Sequence, residues 1–316
     1  MREYIPDSNI YTVDALYYQE QLASIHIIRD GDRLSIIDTG TQFSVPQLKT
    51  AIDALGLSFD NVDYIILTHI HLDHAGGASS LMALCSNAEL VVHPKGARHM
   101  IDPSKLVAGA MAVYGDTEFN RLYGTIGKID PSRVIQPQDG ETLPWKTRPL
   151  TFIDTPGHAN HHHCIIEHES NAIFTGDTLG IGYRALRSEG HAFVMPTTTP
   201  VQFNPEALHH SIDKVMEYNP DTLYLTHYSA LTPNQRMISG LHEQIDDFVM
   251  LTQQAAEGDE ASFETRLASS ITEYLVRRCS NELPTVDKTV IDKWIGLDAN
   301  LNAQGLAFWW QRKHAA

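Results

Sequence analysis

One stretch of the sequence places several metal-binding side chains directly after an apolar run. The stretch YIILTHIHLDHAGG begins at Tyr64 and continues through His69, His71, Asp73 and His74. A polar side chain taken out of water without a partner costs about 1–3 kcal/mol, so the end of a buried strand does not retain four of them unless they bind something. Because imidazole and carboxylate groups are metal ligands, the stretch predicts a metal site.

The spacing within this motif favours two metal ions over one. Alternate side chains of an extended segment share a face, so we expect His69, His71 and Asp73 to point the same way. His74 breaks the alternation, and the two glycines that follow allow a sharp turn. Two imidazoles at a spacing of two suit one ion, and the adjacent Asp–His pair suits a second ion a few ångström away.

Three later strands are each predicted to end in a further ligand. The segments DTPGH, FTGD and YLTH place His158, Asp177 and His227 after apolar runs. Strand ends are the positions at which α/β proteins build their sites, so we expect these side chains to join the motif. Histidines outside this pattern are interpreted individually as hydrogen-bonded core or surface residues: His93, His99, His168, His191, His209, His210, His242 and His314.

The order of the predicted elements is that of a layered α/β protein. Short strand patterns over residues 9–40 precede a helix pattern over 45–57, and strand and helix patterns then alternate up to a last strand over 222–228. After this strand only helical patterns remain. The sequence therefore predicts an α/β domain over residues 1–230 and a helical C-terminal appendage over residues 231–316.

Composition restricts the class of partner. The formal net charge is −16, and binding to nucleic acid or anionic lipid requires clustered Lys and Arg, so we expect a small-molecule substrate and neither of those partners. No apolar run approaches the roughly 18–20 residues of a membrane helix, and the first residues lack an apolar signal segment. Three widely spaced cysteines suit a reducing compartment. These features predict a cytoplasmic protein and leave a homodimer open.

The order HxHxDH, followed by a distant His, Asp and His, resembles the metallo-β-lactamase superfamily. The resemblance spans about residues 8–230 and is strongest to glyoxalase II-like members of bacteria and archaea. It implies a four-layer αββα sandwich with a dinuclear metal site, to which glyoxalase II-like relatives add C-terminal helices. It also implies the ligand sets: one ion held by His69, His71 and His158, the other by Asp73, His74 and His227, with Asp177 bridging the two.

The same resemblance suggests supporting and substrate-binding residues. His162 lies four residues after His158, where glyoxalase-like relatives also carry a histidine, and we expect it to support the ligands from behind. His161 and His163 are expected to face away on a strand and are interpreted as structural. The glycine-rich segment after Asp177 resembles a glyoxalase II loop that carries an arginine near the site, which implies substrate contacts by Tyr183, Arg184 and Arg187.

These residues predict a hydrolase. Two divalent ions lower the pKa of a shared water toward about 7, so the expected nucleophile is a hydroxide that bridges them. Asp73 would orient this hydroxide and relay its proton. We expect zinc, with iron or manganese as alternatives. Asp177 argues against β-lactams, since a cysteine is common at that metal in zinc β-lactamases, and the predicted substrate is a small ester, thioester or lactone.

Two other functions stay open at this point. One is a mononuclear iron enzyme resembling the persulfide dioxygenases, which share the HxHxDH motif. The other is a binding or regulatory protein that keeps the metal site without turnover. The sequence contains no GxSxG, early GxGxxG or GxxxxGK[ST] segment, so it offers no catalytic motif besides the metal-binding residues.

Overall fold

The computed structural model describes residues 3–4, 8–188, 190–198 and 201–315. The chain divides into two compact units, each made of several segments. The first comprises Met1–Asp154, His161–Gly176 and Asp221–Ala230; the second comprises Thr155–Asn160, Asp177–Pro220 and Leu231–Ala316. The predicted division into residues 1–230 and 231–316 stays a prediction. Within the described residues no helix is long and apolar enough to cross a membrane.

Fifteen strands are found among the described residues. They are β1 Glu3–Tyr4, β2 Ile10–Asp14, β3 Ser24–Asp30, β4 Arg33–Ile37, β5 Val62–Ile66, β6 Glu89–Val91, β7 Val134–Ile135, β8 Thr142–Leu143, β9 Leu150–Asp154, β10 His163–Glu167, β11 Ala172–Gly176, β12 Arg187–Ser188, β13 His191–Ala192, β14 Thr222–Leu225 and β15 Ser229–Leu231. The predicted strand patterns over residues 9–40 form β2, β3 and β4, and the last predicted strand over 222–228 forms β14.

The described helices lie between and after these strands. They are α1 Val45–Asp53, α2 Leu72–Ala75, α3 Ala78–Leu84, α4 Pro94–Ile101, α5 Ser104–Tyr114, α6 Asp116–Tyr123, α7 Pro205–Glu217, α8 Gln235–Ala256, α9 Phe263–Glu282 and α10 Lys288–His314. Gly115, at a φ of 75°, separates α5 from α6.

The first unit contains two sheets. In the first sheet the strand order is β1-β2-β3-β4-β5-β6-β7, antiparallel from β1 to β4 and parallel from β4 to β7. In the second the order is β15-β14-β11-β10-β9-β8, with β11 and β14 parallel. Parallel neighbours need crossover connections, which is why helices follow β4, β5 and β6.

Successive side chains of β3 point to opposite faces of the sheet and so pack in two different cores. Ile25 and Ile27 pack in a core with residues of α1, α3 and α4, whereas Ile28 packs between the sheets. There it shares a core with Phe152 and Phe174 of the second sheet. One face of the first sheet is thus covered by helices and the other by the second sheet, and the predicted α/β class is confirmed.

The second unit is mainly helical. α10 packs on α9, α9 on α8, and α8 on α7. Asn204 is the N-cap of α7 and Asn234 is the N-cap of α8. Each side chain accepts a hydrogen bond from the backbone N–H three residues later. The predicted C-terminal helices are confirmed, and α10 continues to His314 with the Trp309 side chain buried.

The buried His26 side chain connects the two sheets of the first unit. Its Nε2 lies 3.2 Å from the carbonyl oxygen of Leu225 on β14, and its Nδ1 lies 3.1 Å from the hydroxyl of Thr12 on β2. Because a carbonyl only accepts, Nε2 carries the proton and Nδ1 accepts from Thr12. Burial lowers the pKa of His26 to about 4, and the hydrogen bond to Leu225 opposes this shift only partly.

The folded-state pKa of His26 lies below its ordinary value of 6.5, so the unfolded chain binds more protons between these values. The contribution of His26 to the free energy of unfolding is therefore complete above about pH 6.5 and is lost as the pH falls toward 4, by at most about 1.4 kcal/mol per pH unit. We expect His26→Gln to flatten this dependence in urea unfolding at about pH 7, 6 and 5. His210→Gln is the matched control at an exposed position, and equal slopes in wild type and His26→Gln would contradict the prediction.

Candidate metal centre

The metal-binding motif does not stay extended to its end. β5 ends at Ile66, and the chain is extended up to His71, where the helical turn α2 begins. Asp73 and His74 therefore lie on a helical turn, and the expectation that Asp73 points with His69 and His71 along a strand is wrong. The turn separates the Asp–His pair from the two preceding histidines, as two metal ions would require.

Two sets of side chains could each hold a metal ion. Within each set the ligand atoms all lie within 4.8 Å of one another. The sets are His69, His71, His158 and Asp177, and Asp73, His74 and His227. The second set lies within the first unit. The assignment of the seven residues as metal ligands stays a prediction, as does the bridging role of Asp177.

The ring orientation of two of these histidines is fixed by backbone carbonyl groups. His158 Nδ1 lies 3.1 Å from the carbonyl oxygen of Thr197, and His227 Nδ1 lies 2.7 Å from that of Leu22. Since each carbonyl only accepts, each Nδ1 carries the proton and each Nε2 presents a lone pair. Metal-ligating histidines characteristically donate their second nitrogen in this way, so the donor set fits a metal ion.

The buried Asp38 carboxylate joins three segments that carry ligands. It accepts hydrogen bonds from the backbone N–H of Thr68 at 2.8 Å, from the Thr68 hydroxyl at 2.9 Å, and from the Thr226 hydroxyl at 2.8 Å. Its Oδ2 also lies 2.9 Å from Nδ1 of His74. Thr68 and Thr226 each directly precede a ligand histidine. Sequence reasoning missed Asp38, although it follows an apolar strand just as the strand-end ligands do.

The three histidines at positions 161–163 differ in their contacts with the metal-binding motif. His162 is fully buried with its ring 4.9 Å from that of His69, and its supporting role stays a prediction. His161 was expected to face away, which is wrong: its ring lies 6.1 Å from His69 and nearly parallel to it. β10 begins only at His163, so strand alternation does not apply before it. His163 donates from Nε2 to the Leu67 carbonyl at 2.8 Å, which is a structural contact.

The predicted substrate-binding residues lie after β11. Tyr183 is buried, with its ring 4.7 Å from that of Trp294 on α10. Arg184 begins a short 3₁₀ turn and is half-buried. Arg187 is also half-buried and donates to the Gly182 carbonyl at 3.0 Å. Substrate contact by these three side chains stays a prediction.

An apolar wall stands beside the motif. Leu72, next to Asp73, packs in a cluster with Phe119 and Tyr123 of α6 and with partly buried residues of α5. The hydroxyl groups of Tyr17 and Tyr123 lie 3.0 Å apart. Burial, followed by the negative charge of Asp73, raises the pKa of Tyr17 far above its ordinary value, so its phenol is neutral. No local sequence pattern indicated this wall.

The fold and the two ligand sets are those of an α/β protein with a candidate metal centre, and sequence comparison identifies the family. The chain belongs to the metallo-beta-lactamase superfamily, whose family model matches residues 20–227. The glyoxalase II-like assignment within that superfamily is not distinguished by this match.

Individual relatives give the same family. The chain is 27% identical over 218 residues to the metallo-beta-lactamase fold-containing protein ST1585 of Sulfurisphaera tokodaii, covering 67% of this chain and 75% of that protein. It is 29% identical over 168 residues to an atrochrysone carboxyl ACP thioesterase of Emericella nidulans, covering 52% of this chain and 43% of that enzyme. The match thus spans less than half of the thioesterase.

Solved structures confirm the fold. The crystal structure of ST1585 from Sulfolobus tokodaii superposes with a TM-score of 0.60 at 24% identity, covering 77% of this chain and 87% of the other. A metallo-beta-lactamase family protein from Thermus thermophilus superposes with a TM-score of 0.59 at 18% identity, covering 98% of this chain and 94% of the other. The implied metallo-β-lactamase fold is therefore present, together with the C-terminal helices.

Asp38→Asn tests the joining role of the Asp38 carboxylate. The amide keeps one acceptor but turns an NH₂ group toward buried donors, so we expect the free energy of unfolding to fall by about 2–4 kcal/mol and metal affinity to fall about 10–100-fold. Urea unfolding and metal titration measure the two effects. Asp60→Asn, at an exposed position, should change stability by less than about 0.5 kcal/mol. Wild-type stability in Asp38→Asn would show that the carboxylate joins nothing.

Proposed function

We propose that the protein is a dinuclear metal-dependent hydrolase of a small acyl ester, thioester or lactone, with zinc as the metal. The observation that carries the proposal is the pair of ligand sets, in which ring nitrogens are fixed by carbonyl and carboxylate partners. When bound, two divalent ions polarise a carbonyl group and bring the pKa of water near neutrality. Seven ligands in two sets favour this function over a mononuclear iron oxygenase.

Asp73 is the residue best placed to handle a proton. Its side chain is 22% exposed, whereas the side chain of His74 is fully buried. Its Oδ2 lies 3.3 Å from Nε2 of His227 and 3.7 Å from Nε2 of His74. A carboxylate at an accessible position beside two candidate ligand imidazoles can orient a water molecule and accept its proton.

The apolar wall favours an acyl substrate. The partly buried side chains Leu106, Val107 and Met111 of α5 pack against the buried Leu72 and Phe119, and on them the hydrocarbon part of an ester or thioester would lose water contact. The neutral Tyr17 phenol can donate to a carbonyl oxygen. The similarity to an ACP thioesterase supports a thioester, and the net charge of −16 disfavours a polyanion. Cytoplasmic location, the glyoxalase II-like branch and a homodimer are parts of this proposal that await tests.

A substrate panel with Asp73→Asn tests the proposal. Protein purified after zinc or manganese supplementation should hold about two metal ions per chain and hydrolyse at least one of a set of thioesters, esters and lactones. Asp73→Asn should lower kcat/KM by at least about 10²-fold, because a positioned acid/base group is lost. Asp53→Asn, with a half-exposed side chain, is the matched control. Clearly less than one metal per chain, or equal rates in Asp73→Asn and wild type, would refute the hydrolase.

Asp177→Ala tests the bridging carboxylate separately. One carboxylate that compensates two cations contributes to both, so its loss should weaken the second ion more than the first and leave one ion per chain. Metal content after dialysis, measured by atomic emission, distinguishes one ion from two. Full retention of both ions would show that Asp177 does not bridge.

A further inference from the structure

The second unit carries a cluster of two histidines and two aspartates on α7 and α8, none of which belongs to the two ligand sets. His209 and Asp213 lie one turn apart on α7, and His242 and Asp246 lie one turn apart on α8. The contacts cross between the helices. His209 Nε2 lies 3.2 Å from Asp246 Oδ1, and His242 Nε2 lies 3.1 Å from Asp213 Oδ1.

The two imidazole rings point at each other. Their Nδ1 atoms lie 2.6 Å apart, the ring planes differ by 7°, and the ring centres are 4.9 Å apart. The separation of the centres exceeds that of the nitrogens by about two ring radii, so both nitrogens lie near the line that joins the rings. His209 and His242 are therefore arranged edge to edge, with one nitrogen of each aimed at the other.

The two aspartates determine which nitrogen of each ring is protonated. An ionised carboxylate only accepts hydrogen bonds, so each Nε2 that faces an aspartate carries a proton. In a neutral imidazole the other nitrogen, Nδ1, then holds a lone pair. Two lone pairs that face each other at 2.6 Å repel, and the arrangement needs a positive centre between them, which is either a shared proton or a metal ion.

We propose that His209 and His242 form a surface site for a divalent transition-metal ion, of which Zn²⁺ is the representative. The two Nδ1 atoms are the protein ligands, and Asp213 and Asp246 hold the rings from behind. A carboxylate on the far nitrogen is the usual partner of a metal-binding histidine, and here both histidines have one. An ion at this position links α7 to α8.

The geometry admits such an ion with small movements. Zn–N bonds are about 2.0–2.1 Å, so tetrahedral coordination requires the two nitrogens to separate by somewhat less than 1 Å. The side chains of His209 and His242 are 23% and 25% exposed, so water can reach the rings and complete the coordination. A chain of net charge −16 with two carboxylates at the site favours a cation there.

Zinc binding to variants of the full chain tests the site. Protein is dialysed against about 10 µM zinc, and the metal content of wild type, of the double variant His209→Ala/His242→Ala and of His210→Ala is compared. We expect the double variant to hold one zinc fewer than wild type. His210→Ala, which removes an exposed histidine from the same helix, should keep the wild-type content. Since none of these residues belongs to the two ligand sets, esterase or thioesterase activity is not part of the readout.

Two further measurements keep the test decisive if the double variant folds poorly. Asp213→Asn, at an exposed position, should fold and bind the additional zinc about 10–100-fold more weakly. Crystals of the wild type soaked in zinc should show anomalous density between His209 and His242. Absence of that density, together with equal zinc content in wild type and Asp213→Asn, would overturn the proposal and assign the short contact to a shared proton.

Discussion

The buried carboxylate of Asp38 is the interaction on which the metal centre depends. Its two oxygens accept hydrogen bonds from groups on three separate segments, and each segment contains a candidate ligand. A buried carboxylate is stable only when its hydrogen-bonding capacity is filled, so these segments cannot move independently without a cost. Asp38 therefore holds two strand ends and a helical turn in one frame, and the carbonyl group of Leu22 orients the imidazole of His227 within it.

Residues of the first unit also suggest how chemistry and specificity are divided. Histidines fixed from behind provide ligands whose orientation is set by the fold, whereas Asp73 lies at an accessible position. The apolar wall around Leu72 comes from α5 and α6, which follow the motif in sequence but contribute no ligand. Under the proposed function, insertions between β6 and β7 would alter the substrate without disturbing the candidate ligands, as expected where function is carried on loops of a stable scaffold.

The side chains of the two candidate ligand sets could be named from the sequence because each is marked locally, either by the HxHxDH spacing or by an apolar strand before it. Asp38 also follows an apolar strand, but its hydrogen-bond partners lie 30, 36 and 188 residues away, so no local pattern shows what it binds. Strand alternation failed for Asp73 and His161, since one lies on a helical turn and the other precedes its strand. The pairing of His209 with His242 depends on how two helices pack, and helical spacing alone does not determine that.

The position of Asp38 has a mechanical consequence for the two sheets. Asp38 follows β4 of one sheet, whereas Thr226 follows β14 of the other, so their hydrogen bond crosses the sandwich at one edge. The hydrogen bond between His26 and Leu225 also crosses between the sheets, whereas the apolar core between them resists separation but gives little resistance to sliding. Sliding of one sheet over the other would therefore strain these polar contacts, and the strain at Asp38 would displace the candidate ligands next to its partners. Core substitutions that shift the sheets by a fraction of an ångström would impair metal binding while the protein stays folded.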